Sequence, residues 1–162
     1  MNQDTIKLVT RFEPFGKNKK AILIVDLFIN GTKIEWSYID PYAIAHYWLN
    51  HRSKYDPSGQ WSAFEPFSCT CGASGCAGIW DGVYVKARKH SVEWRLRKNT
   101  GYEDFMPKRF FSFSREQYVK VRDAFIAELK QAELPEHTLY ASFGACPGQE
   151  VSLNEFLQEF KS

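Results

Sequence analysis

A chain of 162 residues in which 16% are aromatic has the material for one packed domain, residues 1–162, because that length buries a core without staples and aromatic rings supply large burial areas. The composition excludes intrinsic disorder, which requires low hydrophobicity together with high net charge. With 21 cations against 19 carboxylates the net charge is only +2, which gives no reason to expect a general polyanion binder, so nucleic acid is not an expected partner.

Residues 1–7 show no charged segment leading into an apolar stretch, so no signal peptide is expected. The longest apolar run, Ala21–Val25, is broken by Asp26, far short of a membrane span. The expected location is therefore the cytoplasm, where cysteines are thiols rather than disulfides. Residues 5–13 alternate loosely and predict an opening strand. Ala21–Ile29 and Thr32–Tyr38 flank Asn30-Gly31, a pair that tolerates the positive φ of a type I′ turn and predicts a hairpin. The run Lys17–Lys20 before it reads as a solvated turn.

Asp40-Pro41 reads as an N-cap with proline at the first helical position. Ile44, Tyr47, Trp48 and His51 then follow at helical spacing, predicting a helix over 41–52. Residues 56–66, with Pro57, Ser58 and Gly59, read as a loop. A long β region spans Ile79–Lys98 with its turn at Lys89–Ser91, and a short strand follows at Arg109–Phe113. Ser114 with Gln117 forms a capping box for a helix to about Glu133, whose buried stripe is Tyr118, Val121, Phe125, Leu129 and Ala132. Thr138–Phe143 predicts a last strand and 153–161 a last helix. The expected fold class is α+β: one mainly antiparallel sheet carrying two or three helices.

Three of the four cysteines fall within Cys69-Thr-Cys71-Gly-Ala-Ser-Gly-Cys76. If Cys71 and Cys76 flank a four-residue turn, all three thiols project from one side of a hairpin. A structural zinc site would draw on Cys69, Cys71 and Cys76, with Cys146 or one of His46, His51, His90 and His137 as fourth ligand. Zinc needs its sulfurs roughly 3.8 Å apart, whereas alternate strand positions stand roughly 6.6 Å apart. The β-branched Thr70 favours that extended spacing. Packing of small thiols beneath a glycine turn is the leading reading, with no cofactor. A reactive thiol is the third reading; no histidine lies within ten residues to activate one.

The β region also carries Lys86 with Arg88, and Arg95 with Arg97, each pair on one face of its strand. Such a face meets an acidic partner or a nucleic-acid backbone, or forms the solvated side of an antiparallel sheet, which is the leading reading. Glu93 among these positions weakens the field.

From Phe67 to Leu129 the chain resembles a family of uncharacterised bacterial proteins. The shared features are Cys69-Thr-Cys71-Gly72-Ala-Ser-Gly75-Cys76, Val92-Glu-Trp94, and Phe111-Ser-Phe113-Ser-Arg115-Glu-Gln117-Tyr118. Relatives often carry Trp-Pro after the third cysteine, where this chain has Ala77-Gly78, and Cys146 lies outside the shared pattern. The resemblance transfers no activity. Small bacterial proteins of this class include immunity proteins, an analogy of class rather than of residues. The expected function is thus non-enzymatic: a cytoplasmic bacterial protein that binds another protein, as an immunity or accessory factor. A small zinc protein is the first alternative and a thiol enzyme or redox sensor the second.

Overall fold

Apolar residues at every second position lay down the first two strands of a computed structural model, which describes residues 2–15, 20–36, 38–41, 43–44, 57–68, 79, 81–131, 138–141, 150–152 and 158. Strand β1 (Ile6–Phe15) pairs antiparallel with β2 (Lys20–Ile29), placing Ile6 opposite Ile29 and Leu8 opposite Leu27. Opposed residues share a face, so Ile6, Leu8, Leu23, Val25, Leu27 and Ile29 form one buried layer. On the other face Asp26 holds Arg11 at 3.1 Å and Lys33 at 3.3 Å.

Asn30 and Gly31 have φ of 51° and 78°, the positive values that the predicted type I′ turn requires. They lead into β3 (Thr32–Lys33), with Thr32 opposite Ile29. A Cβ added at Gly31 meets no atom within 4 Å, so Gly31→Ala carries only the backbone penalty of positive φ. That substitution should cost about 1 kcal/mol, read as a lower urea midpoint with unchanged slope.

The strand expected to reach Tyr38 stops early, at Lys33. Packing overrides alternation there: Ile34 is buried, and the Trp36 ring tilts onto Phe105 with centroids 4.5 Å apart. The strands that follow are β4 (Tyr38–Ile39), β5 (Ser62–Phe64), β6 (Phe67–Ser68), β7 (Val83–Ala87), β8 (Ser91–Arg95), β9 (Phe110–Ser114), β10 (Thr138–Ala141) and β11 (Glu150–Ser152). Strand β5 lies in the stretch expected to be loop. Three residues are too few to show alternation, and Phe64 is drawn against Trp94 at 5.6 Å.

The single expected sheet is instead divided among the described residues. One sheet runs β1-β2-β10-β11 with β3 beside β2, a pair joins β4 to β6, and a third runs β5-β7-β8-β9. Most pairings are antiparallel, but β10 lies parallel to β2, Thr138 opposite Ala21. Partners that distant in sequence leave no trace in local periodicity, which is why the division was not legible.

Helix α1 (Arg115–Gln131) begins where Ser114 Oγ accepts from the Gln117 N–H at 3.4 Å. Tyr118, Phe125 and Leu129 are buried as its stripe predicts, with Val121 half-buried beside them. The helix packs on β1, β8 and β9 and so spans both large sheets. Pro41, Ala43 and Ile44 are helical, as the start of the predicted 41–52 helix. The remainder of that helix lies outside the described residues, as does the predicted 153–161 helix apart from the helical Gln158. Among the described residues there is one long helix in a mixed α and β fold, and none is long and apolar enough to cross a membrane.

The two large sheets are stitched together at Asp4. Its N–H donates to the Ser112 carbonyl at 2.8 Å, giving a parallel bridge to β9. Its carboxylate accepts from the Ser112 N–H at 2.9 Å, Asn30 Nδ2 at 2.8 Å and Lys108 Nζ at 2.6 Å. Burial alone would raise the Asp4 pKa; the hydrogen bonds from Asn30, Lys108 and Ser112 outweigh it, and the net direction is down.

Candidate functional site

Strands β7 and β8 have one apolar and one polar face. Val83, Val85, Ala87, Val92 and Trp94 point into the core. The register sets Tyr84 opposite Arg95 and Lys86 opposite Glu93, so these four share the outer face. Arg88 and Arg97 continue the same alternation beyond the strand ends. All four basic residues singled out from the sequence therefore come together on one surface. They run diagonally as Arg97, Arg95, Lys86 and Arg88, with Arg97 just past the end of β8 and Arg88 just past the end of β7. Consecutive Cα atoms in that stripe stand about 7 Å apart, the along-strand and cross-strand diagonal spacings of a sheet.

Rings and carboxylates of this chain hold parts of the stripe in place. The Arg97 guanidinium lies 4.3 Å from the centre of the Tyr84 ring, a cation–π contact. Its Nε is also 3.6 Å from Asp81 Oδ2. Tyr84 in turn donates its hydroxyl to Asp81 Oδ1 at 3.0 Å. Burial, and then the Asp81 carboxylate that accepts this bond, push the Tyr84 phenol up, so it stays a donor. Tyr102 anchors the same corner, donating to the Asp81 carbonyl at 2.6 Å, and its own phenol is pushed up chiefly by burial. Lys86 Nζ sits 5.7 Å from the centre of the Trp61 ring, and Arg88 binds Glu93 at 2.6 Å. Arg95 is exposed and has no ion pair among the described residues.

Between these groups opens a groove of about 400 Å³ lined by Trp61, Tyr84, Arg95 and Arg97. Phe110, opposite Arg95 on β9, is 50% exposed and forms an apolar shelf beside it. The charge distribution is uneven. Residues 81–98 carry six cations and two carboxylates, while the rest of the chain carries 15 cations and 17 carboxylates. The whole basic excess of the protein thus sits on this hairpin. Lys86 and Arg97 each lie beside a ring of this chain, while the Arg97 side chain stays 62% exposed.

Tyr84 and Asp81 were missed by sequence reasoning, whereas Trp61 is one of five tryptophans (Trp36, Trp48, Trp61, Trp80 and Trp94) whose number predicts one or two at an interface, each taken singly reading as core. Tyr84 could have been found, because it occupies the outward position between Val83 and Val85. Trp61 lies in the stretch read as loop, and Asp81 falls in the long β region at the parity of core-facing Val83 and Val85, so neither carries a local signal of the face it joins. Cys69, Cys71, Cys76 and Cys146 lie outside the described residues, as do His46, His51, His137, Trp48 and Trp80. His90 is exposed at the tip of the β7–β8 hairpin. Among the described residues no three His, Cys, Asp or Glu side chains are grouped to hold a metal ion. In comparisons with protein-family models, curated proteins and solved structures, none matches this chain.

Proposed function

We propose that the protein is a non-catalytic binding module that docks an acidic partner protein through the outer face of β5, β7, β8 and β9, in the manner of an accessory factor. The observation that carries this reading is the segregation of charge: the hairpin at 81–98 has a surplus of four cations in a chain whose net charge is +2. Such a field steers an oppositely charged partner and fixes its orientation. Aromatic and arginine side chains beside it are the residue types that anchor protein interfaces. Arg95 and Arg97 offer planar, bidentate donors, which suit carboxylates better than lysines would.

The reading is tested by site-specific photo-cross-linking in cells. The cross-linking amino acid p-benzoylphenylalanine is placed at Ala63, exposed beside Tyr84 on this face, or at Ala124, exposed on α1. A discrete protein adduct should form from Ala63 and not from Ala124. In extracts it should fade as ionic strength rises from about 0.05 to 0.5 M, where screening shortens to a few ångströms. Equal adducts from both positions, or an Ala63 adduct indifferent to salt, would show that the basic face does not dock the partner.

A further inference from the structure

The spacing of the stripe carries the reading further, given that the face docks an acidic protein. We propose that it recognises an extended segment in which Asp or Glu recurs at every second residue. Arg97 lies two residues past Arg95, the last residue of β8; Lys86 lies on the diagonal across the ladder, and Arg88 follows it just past β7. Each step is about 7 Å. An extended chain presents alternate side chains on one face at nearly the same interval, about 6.8 Å. An acidic helix repeats on one face about every 6 Å along its axis, four residues at 1.5 Å each. Over the three intervals of the stripe it would slip by about 3 Å, enough to lose a bidentate contact.

The cations are also held ready. Tyr84 and Asp81 flank Arg97 at 4.3 and 3.6 Å, and the Trp61 ring lies 5.7 Å from Lys86 Nζ. Groups restrained before binding lose less freedom when a ligand arrives. Arg95 is the open position, exposed and unpaired among the described residues, at the mouth of the Trp61–Tyr84 groove. The same contacts argue for a peptide over single-stranded nucleic acid. Base recognition without sequence preference relies on free ring faces as stacking platforms. Here Arg97 lies over Tyr84 and Lys86 over Trp61, so one face of each of these rings is already taken by a cation of this chain. Arg88, already engaged by Glu93 at 2.6 Å, closes the far end.

Fluorescence anisotropy with three labelled probes tests this: an eight-residue peptide alternating Glu and Ser, its isomer with the four Glu in one block, and an eight-nucleotide oligothymidylate. The alternating peptide should bind about fivefold tighter than the block isomer, since a misplaced exposed charge pair changes Kd a few-fold. The double variant Arg95→Glu/Arg97→Glu should weaken it about tenfold. A control at an exposed position on the other large sheet, Lys7→Glu, should weaken it less than about twofold, as remote exposed charges are screened. Should the double reversal fail to fold, Arg95→Gln alone serves. Equal binding of both peptides, still lost in the double variant, overturns the alternating register and leaves the docking face standing. No peptide binding, equal loss in the control, or oligothymidylate binding tightest overturns the register and the acidic-protein reading together.

Discussion

Trp94→Ala should lower folding stability by about 4 kcal/mol, the range for removing a large aromatic side chain from a packed interior. Trp94 is 2% exposed at the centre of β8. Its ring meets Phe64, Phe113 and Tyr118 edge-on, with centroids 5.6, 5.3 and 6.3 Å away. Its indole N–H donates to the Tyr118 hydroxyl at 3.0 Å inside the core. The residue therefore joins β5, β9 and α1 through one side chain. Tyr118→Phe keeps the ring but leaves the indole N–H without that acceptor, at a cost of about 2 kcal/mol. The two effects should be non-additive, since both remove the same bond. Urea midpoints of the two single variants and the double variant check this. A loss below about 1 kcal/mol for Trp94→Ala would mean that the indole is not the keystone of this sheet.

Asp4→Ala comes next, with an expected loss of about 3 kcal/mol, because it strands partly buried donors that a carboxylate had satisfied. Asn30 Nδ2, the Ser112 N–H and Lys108 Nζ all lose their acceptor at once. The same carboxylate makes stability pH-dependent. Both Asp4 and Asp26 have pKa values lowered from 3.8 in the fold. For Asp26 burial opposes the shift, and hydrogen bonds from Arg11 and Lys33 overcome it. A group with a depressed folded pKa stabilises above its unfolded pKa and loses that contribution as pH falls toward the folded value. Below about pH 4 the unfolded chain takes up protons that the folded chain refuses, so stability must fall on acidification. The wild-type urea midpoint should drop steeply from about pH 4.5 to 2.5, and the Asp4→Ala curve should be lower and flatter. Parallel curves would assign the acid sensitivity to other carboxylates.

Much of the framework was legible because it is written in short-range chemistry. Asn30-Gly31 gives its turn through two backbones that accept positive φ, and α1 follows from its cap and 3.6-residue stripe. The alternation of Val83, Val85 and Ala87 placed the core face of β7, and with it Lys86 and Arg88 on the other side. What escaped notice depends on distant contacts. Strand β3 is cut short by Trp36 finding Phe105 some seventy residues away, and β5 exists because Phe64 finds Trp94. Within the candidate site, alternation alone could not say that β7 and β8 register to bring the two basic pairs into one diagonal. Trp61 joined it from a segment read as loop.

The parallel placement of β10 against β2 has a consequence for synthesis. Residues 20–29 leave the ribosome more than a hundred residues before their neighbour at 138–141 exists. Until then one side of β2 offers unsatisfied amides and carbonyls at Ala21 and Ile22, the kind of margin that templates pairing with other chains. Residue 4 must likewise wait for Ser112 to emerge. Assembly is thus late and non-local, which slows it and leaves that margin uncovered while the rest of the chain is made.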